Sequence, residues 1–286
     1  MGFIVFTLWS IVEYGCCNNV VQSIEYKFFR GDDVGLLRCG HRVVDCRGLI
    51  FDKDGTLIDS LLIWPKLIRV RTEILQSMLG LSREISDKVQ RVMGLDERGR
   101  VILRSPIVIG SREQTAAAVN GVLFLDTGIN WDEGMEAILR AFAQADDELG
   151  LEAQAIPVPG IKEALGQLAA AGFKIAVATN DSLERTKRLL HYAGIAAYVS
   201  AYACRDEVKE GKPAPDLIKL AANRLEINLN ECVMVGDALL DMQMARNAGN
   251  IKLAVGVLTG ASVEGDLKDA ADVILPSASS LCPAAY

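Results

Sequence analysis

A few polar residues, by type and spacing, are what in this sequence could do chemistry. Asp52 and Asp54 stand one residue apart in Phe51-Asp52-Lys53-Asp54-Gly55-Thr56, directly after an apolar run. Further along come Thr179-Asn180-Asp181, Gly211-Lys212-Pro213 and Gly236-Asp237-Ala238-Leu239-Leu240-Asp241. In an extended chain, side chains two apart lie on one side, so Asp52 and Asp54 could converge just past a strand end. A carboxylate pair with a third carboxylate from another strand is what a hard cation needs, and Mg2+ takes oxygen ligands while keeping several waters. A hydroxyl at a helix start, beside free backbone amides, suits a phosphate oxygen. One nearby lysine neutralises charge as a phosphoryl group moves. Singly, each residue has an ordinary reading: Asp-Gly marks turns, Thr179 starts a helix, Asp237 and Asp241 cap one, and Lys212 is a solvated loop charge.

The surrounding elements give these residues a common address. Residues 49–51 form an apolar run cut off by turn residues, which reads as a buried strand of a parallel sheet. From residue 157 onward the pattern alternates: helix 161–171, strand 173–179, helix 182–193, strand 198–202, helix 214–225, strand 232–236, helix 239–248, strand 252–257 and strand 271–275. That rhythm predicts an α/β fold, a Rossmann-like open parallel sheet with helices on both faces. Ligands of such sheets bind outside the carboxyl ends of the strands, where all four polar stretches fall. Between the first strand and the rest lies a mostly helical insertion, residues 61–155. It reads as helices over 61–79, 82–93 (Ser82 as N-cap), from Ser111, and over 131–149, with a small hairpin pairing 101–103 with 107–109. The expected division is therefore an extension, 1–45; a core, 46–60 with 156–286; and a helical insertion between.

Composition narrows the function classes. The 286 residues are 50% hydrophobic and 23% charged, which is globular composition. A formal charge of −7 with no Lys/Arg block speaks against nucleic acid or an anionic membrane surface as partner. Seven cysteines in no repeated spacing give neither a disulfide framework nor a zinc pattern, and two histidines exclude a histidine-rich metal site. A reducing, cytoplasmic compartment is the expectation. Residues 2–12 are apolar but too short to span a bilayer and lack a basic leader. The extension has no assigned role: an ordered extra element, a weak membrane-associating stretch and a segment dispensable to the folded domain are its three readings, the last preferred.

Together, in order and at strand ends, the motifs Asp52–Thr56, Thr179, Lys212 and Gly236–Asp241 resemble those of the haloacid dehalogenase superfamily, with the nearest look to its phosphoglycolate phosphatase-like members. The resemblance covers about residues 47–276, with the helical insertion where that family carries its cap. It implies that Asp52 attacks phosphorus and carries an aspartyl-phosphate. Asp54 protonates the leaving oxygen and then deprotonates water, a role for which nearby carboxylates should raise its pKa. Gly55, Thr179, Asn180 and Lys212 hold phosphate oxygens; Asp52, Asp54, Asp237 and Asp241 hold Mg2+. Lys53 is expected to point away from the metal and to take no part in catalysis. Arg69, Arg71, Arg98, Arg100, Arg104 and Arg112 are the insertion's candidate contacts to an anionic substrate, one or two of them facing it.

The resulting expectation is a Mg2+-dependent phosphatase, a monomer or homodimer, acting on a small phosphorylated metabolite. A phosphosugar mutase of the β-phosphoglucomutase type is the alternative, with Thr56 against it, and a non-catalytic binding relative stands behind both. The carboxylate at position 54 disfavours a dehalogenase proper or a phosphonate hydrolase.

Overall fold

A computed structural model describes residues 35–284. The chain opens on β1 (Gly35–Cys39) and β2 (Arg42–Cys46), then β3 (Gly48–Phe51). A helical block follows: α1 (Ser60–Leu79), α2 (Arg83–Met93), the single turn α3 (Pro106–Ile109), α4 (Arg112–Thr127), α5 (Trp131–Leu149) and the short α6 (Leu151–Gln154). The alternating half comprises α7 (Ile161–Ala170), β4 (Lys174–Thr179), α8 (Leu183–Tyr192), β5 (Ala201–Cys204), α9 (Asp216–Leu225), β6 (Cys232–Gly236), α10 (Leu239–Ala248), β7 (Leu253–Val257), α11 (Glu264–Leu267) and β8 (Val273–Leu275), closed by β9 (Cys282–Pro283).

The main sheet is six-stranded and parallel, in the order β5-β4-β3-β6-β7-β8. Its continuous apolar strands are buried on both faces, as the expected Rossmann-like architecture requires. Leu49, Phe51, Ile175, Val177, Val233 and Val235 pack with α7 and α8 on one side. Ile50, Ala176, Ala178, Cys232 and Met234 pack with α9 and α10 on the other. The strand order reverses at β3: the chain continues to β4 on one side and later returns to β6 on the other. The carboxyl end of β3 thus sits at the topological switch point, where open sheets bind ligands.

The helical block has its own core of Leu67, Ile68, Leu75, Val89, Met93, Leu123, Ile138 and Phe142. Its helices start where the side chains allow. Ser82 accepts from Ile85 N at 3.3 Å, Asn130 accepts from Asp132 N at 2.9 Å, and Ser111 with Gln114 forms a reciprocal capping box. The hairpin expected from 101–103 and 107–109 does not form. Val101 bridges to Leu95 instead, and Pro106, with its fixed φ, occupies the first helical position of α3 and turns 107–109 into helix. The strand expected at 198–202 begins later, at Ala201, after a 3₁₀ turn over Ala196–Tyr198.

The boundary drawn at residue 45 falls inside an ordered element. β1 and β2 form an antiparallel hairpin, and β1 also pairs with β9 near the other end of the chain, making a three-stranded sheet apart from the main one. Leu37, Cys39 and Cys46 of this sheet are fully buried in the same apolar cluster as Leu49 and Phe51. Residues 36–46 are therefore part of the folded domain. The apolar residues 2–12, and Cys16 and Cys17, lie outside the described residues. Among the described residues no helix is long and apolar enough to cross a membrane. Truncating Leu37 to Ala should cost about 2–5 kcal/mol of stability in chemical denaturation, as for other buried leucines; no loss would show that the hairpin is not part of the core.

Candidate active site

β3, β4 and β6 end side by side, and the turns after them converge on one cavity of about 240 Å³ lined by Asp52, Lys53, Asp54, Thr179, Asn180, Lys212, Asp237 and Asp241. Of the eight residues expected to act on phosphate or metal, Gly55 alone is absent from that wall. Its amide donates to Ile58 O at 2.7 Å, its φ is +79°, and a Cβ there would stand 2.7 Å from Asp237 Cγ and 2.8 Å from Gly260 Cα. Gly55 is thus engaged in the turn that lets Asp237 approach, with its amide already committed.

Asp52, Asp237 and Asp241 each place a carboxylate oxygen within 4.8 Å of the others, and all three are buried. Asp237 is fixed on both sides: Thr56 Oγ1 donates at 3.0 Å and Ala261 N at 2.6 Å. Asp241, in the first turn of α10, accepts from Ala238 N at 3.0 Å; Gly236 leaves room for it, since a Cβ there would lie 2.5 Å from Asp241 Cγ. Thr259 Oγ1 donates to Gly55 O at 2.5 Å and braces the same turn from the β7 side. Lys212 Nζ meets Asp52 Oδ1 in a very short contact and lies 2.6 Å from Asp241 Oδ1. The lysine's loop is held by Asn180, whose Oδ1 accepts from Lys212 N at 2.9 Å. Thr179 is buried beside it, with Oγ1 accepting from Asp181 N at 3.2 Å.

One ammonium is too little charge for this cluster. Burial pushes Asp52 up to about 6, with Lys212 opposing and Asp241 and Asp54 adding to the rise. Burial, then the Asp52 and Asp241 charges, holds Asp237 well above the ordinary carboxylate range despite its hydrogen bonds. Burial also disfavours the charge on Lys212, but Asp241 and Asp52 outweigh it and keep the ammonium above its usual range. Asp241 Oδ1 has no aligned hydrogen-bond donor; its contact to Lys212 is a close charge contact only. An oxygen-only donor set short of positive charge fits a hard divalent cation such as Mg2+.

Asp54 lives in a different environment. Ser60 Oγ, at the start of α1, donates to its Oδ1 at 2.7 Å, and Lys53 Nζ lies 2.6 Å from its Oδ2. Burial would raise its pKa, but the Lys53 charge and hydrogen bond, then Ser60 and Arg185, hold it below the ordinary carboxylate range. This corrects the expectation of a raised value: the nearest charge is a cation and not a carboxylate. The expectation that Lys53 points away from the metal left its partners open. Lys53 does avoid the Asp52 cluster, but it is 1% exposed and pairs with Asp181 at 3.1 Å as well as with Asp54. The sequence carried a signal, since a lysine at the end of a fully buried strand must find carboxylate partners. Burial opposes its charge, yet Asp54 and Asp181 keep it protonated.

The helical block closes the cavity with Trp64, Leu67, Arg71, Ile107, Arg112 and Asp146. Of the candidate arginines, only Arg71 and Arg112 reach it. Arg69 turns to Gly99 O, Arg100 pairs with Asp96, which also accepts from the Arg98 backbone amide, and Arg104 pairs with Asp266. Arg112 donates to Asp146 at 2.6 Å, and Arg71 lies 3.5 Å from Asp146 and stacks 4.1 Å from the Phe142 ring centre. Arg71 is buried and its Nε has no partner.

If the three-aspartate cluster holds a cation, Mg2+ should raise the thermal unfolding midpoint of the wild type, since a ligand bound only to the folded state stabilises it by mass action. Asp237→Asn should abolish most of that shift; an equal shift in both proteins would place the cation elsewhere.

Comparison with known proteins agrees with this geometry. The family model of the haloacid dehalogenase-like hydrolases matches residues 46–249. The phosphoglycolate phosphatase of Escherichia coli strain K12 is 28% identical over 243 residues, covering 84% of this chain and 92% of that protein; the one from Salmonella typhimurium is 28% identical over 247 residues, covering 85% and 94%. Among solved structures, a predicted phosphoglycolate phosphatase from Haemophilus somnus superposes with a TM-score of 0.62 at 19% identity, covering 82% of this chain and 95% of that one. A putative β-phosphoglucomutase from Thermotoga maritima gives 0.57 at 20% identity, covering 82% and 95%, so the fold alone does not separate phosphatase from mutase. With a family match across most of its length and the acidic strand-end cluster in place, the chain belongs to the haloacid dehalogenase-like hydrolases.

Proposed function

We propose that this chain is a Mg2+-dependent phosphatase that hydrolyses a small phosphomonoester bearing a second anionic group, of the phosphoglycolate kind, through an aspartyl-phosphate on Asp52. The observation that carries the reading is the division between two aspartates only two residues apart. Asp52 faces Lys212 and the other carboxylates, while Asp54 faces Lys53 and Ser60. Two carboxyl groups in opposed environments are the usual basis for two roles in one reaction.

In this reading Asp52 attacks phosphorus, and the P–O bond to the leaving group breaks as the aspartyl-phosphate forms. Asp54, protonated as the anionic ester raises its proton affinity, gives its proton to the leaving oxygen. It then takes one from the water that attacks phosphorus, releasing phosphate and restoring Asp52. Lys212 neutralises charge on the transferring group, and Thr179 with the Asn180 amide supplies donors to its oxygens. Asp52, the Asp54 carbonyl, Asp237 and Asp241 are the residues that would hold Mg2+, which when bound offsets the negative charge of substrate and carboxylates. Arg71 and Arg112 supply the positive charge on the facing wall. The small cavity suits a metabolite of a few heavy atoms.

Two outcomes test the reading. Asp52→Asn should lower phosphate release from p-nitrophenyl phosphate with Mg2+ by roughly 10³-fold or more; activity that survives the substitution removes Asp52 from the nucleophile's role. Arg112→Met should raise KM for 2-phosphoglycolate by roughly ten-fold, the loss of one charge-assisted contact. The same substitution should leave KM for p-nitrophenyl phosphate nearly unchanged. Equal effects on both esters would mean that Arg112 does not read the second anion.

A further inference from the structure

Asp54 is the terminus of a line of charges that runs out of the cavity and into the helical block. Lys53 Nζ bridges Asp54 Oδ2 at 2.6 Å and Asp181 Oδ2 at 3.1 Å. Asp181 is itself held in place: Ser182 N donates to its Oδ1 at 2.8 Å, and Arg185 Nε lies 3.2 Å from its Oδ2, one turn along α8. The far side of the Arg185 guanidinium donates to Gln154 Oε1 at 2.6 Å and lies 3.7 Å from Asp146 Oδ2. Gln154 and Asp146 belong to α6 and α5, whereas Lys53 and Asp181 follow β3 and β4. Arg185 is thus the residue by which the sheet domain and the helical block share one network of hydrogen bonds and charges.

The network has a directional consequence for Asp54. A lone lysine on a flexible four-carbon stem is a point charge that could swing between neighbouring carboxylates. With Asp181 locked by a backbone amide and by a planar guanidinium, Lys53 has one resting place. Asp54 is then gripped from Oδ2 by Lys53 and from Oδ1 by Ser60. Both oxygens of the carboxylate are fixed, which is what proton transfer to a single leaving oxygen needs.

Taking Asp54 as the proton-moving carboxylate of the reading above, we infer that Arg185 and Lys53 are positioning residues for this reaction: Arg185, anchored on the helical block by Gln154 and Asp146, orients Asp181, which orients Lys53, which aims Asp54 at the leaving-group oxygen. Neither residue touches phosphorus. Their effect falls on the step in which the leaving oxygen takes its proton.

Two aryl phosphates of nearly the same shape read that step. p-Nitrophenolate leaves without much help, whereas phenolate needs the proton. Arg185 is the better residue to vary, because its side chain is 24% exposed while Lys53 is fully buried. In Arg185→Met, with Mg2+ present and folding checked by thermal unfolding, kcat/KM for phenyl phosphate should fall roughly ten-fold more than kcat/KM for p-nitrophenyl phosphate. Arg185→Lys, which can still meet Asp181, should recover part of that selectivity. Lys53→Met should show the same bias, more strongly. Equal losses on the two esters, or none, would overturn the positioning role while leaving the phosphatase reading intact. A folded wild-type enzyme inert toward both esters, and toward 2-phosphoglycolate, would overturn both together.

Discussion

Three carboxylates buried within reach of one another at the ends of parallel strands are a costly arrangement, and most of the local structure can be understood as what makes it tolerable. Asp52, Asp237 and Asp241 repel, and their burial weakens screening by solvent. Thr56 and the Ala261 amide satisfy Asp237, the Ala238 amide satisfies Asp241, and Lys212 is shared between Asp52 and Asp241. Gly55 and Gly236 are small because the carboxylates stand where a side chain would be. What remains after these contacts is an excess of negative charge, which suits a cation.

The second constraint is separation. Asp54 lies two residues from Asp52, close enough to act on the same bond, yet it must not share the same electrostatic fate. Lys53, turned away from the acidic cluster, separates them: it lends its charge to Asp54 and Asp181, while Lys212 serves Asp52. The helical block bears on both halves of the site. Its Arg71 and Arg112 face the cavity, and its Gln154 and Asp146 hold Arg185, so the cavity-facing arginines and the anchor of Arg185 meet at a single carboxylate, Asp146.

Much of this was legible in the sequence where the determining interactions are local. Continuous apolar runs at 49–51 and 232–236 could only be strands of a two-sided sheet, and helix ends marked by Ser82, Ser111 and Gly249 fell within a residue or two of their places. The residues lining the acidic cavity followed from strand ends in a parallel sheet. What was not legible depends on partners far away in the chain. The hairpin of β1 and β2 is completed by β9, more than 200 residues on, and alternation turned Lys53 away from the metal but could not name its carboxylate partner Asp181, which sits after another strand. Likewise, nothing in the helical stripe tells Arg71 from Arg69; only the packing of α1 against Phe142 does.

As the proposed nucleophile, Asp52 becomes covalently bonded to phosphorus during turnover. Rapid acid quench during turnover with Mg2+, followed by borohydride reduction and peptide mass spectrometry, tests it directly, because an acyl phosphate is reduced to an alcohol whereas a free carboxylate is not. Homoserine at position 52 and an unmodified Asp54 are expected. Reduction at another position, or none during steady turnover, would contradict it.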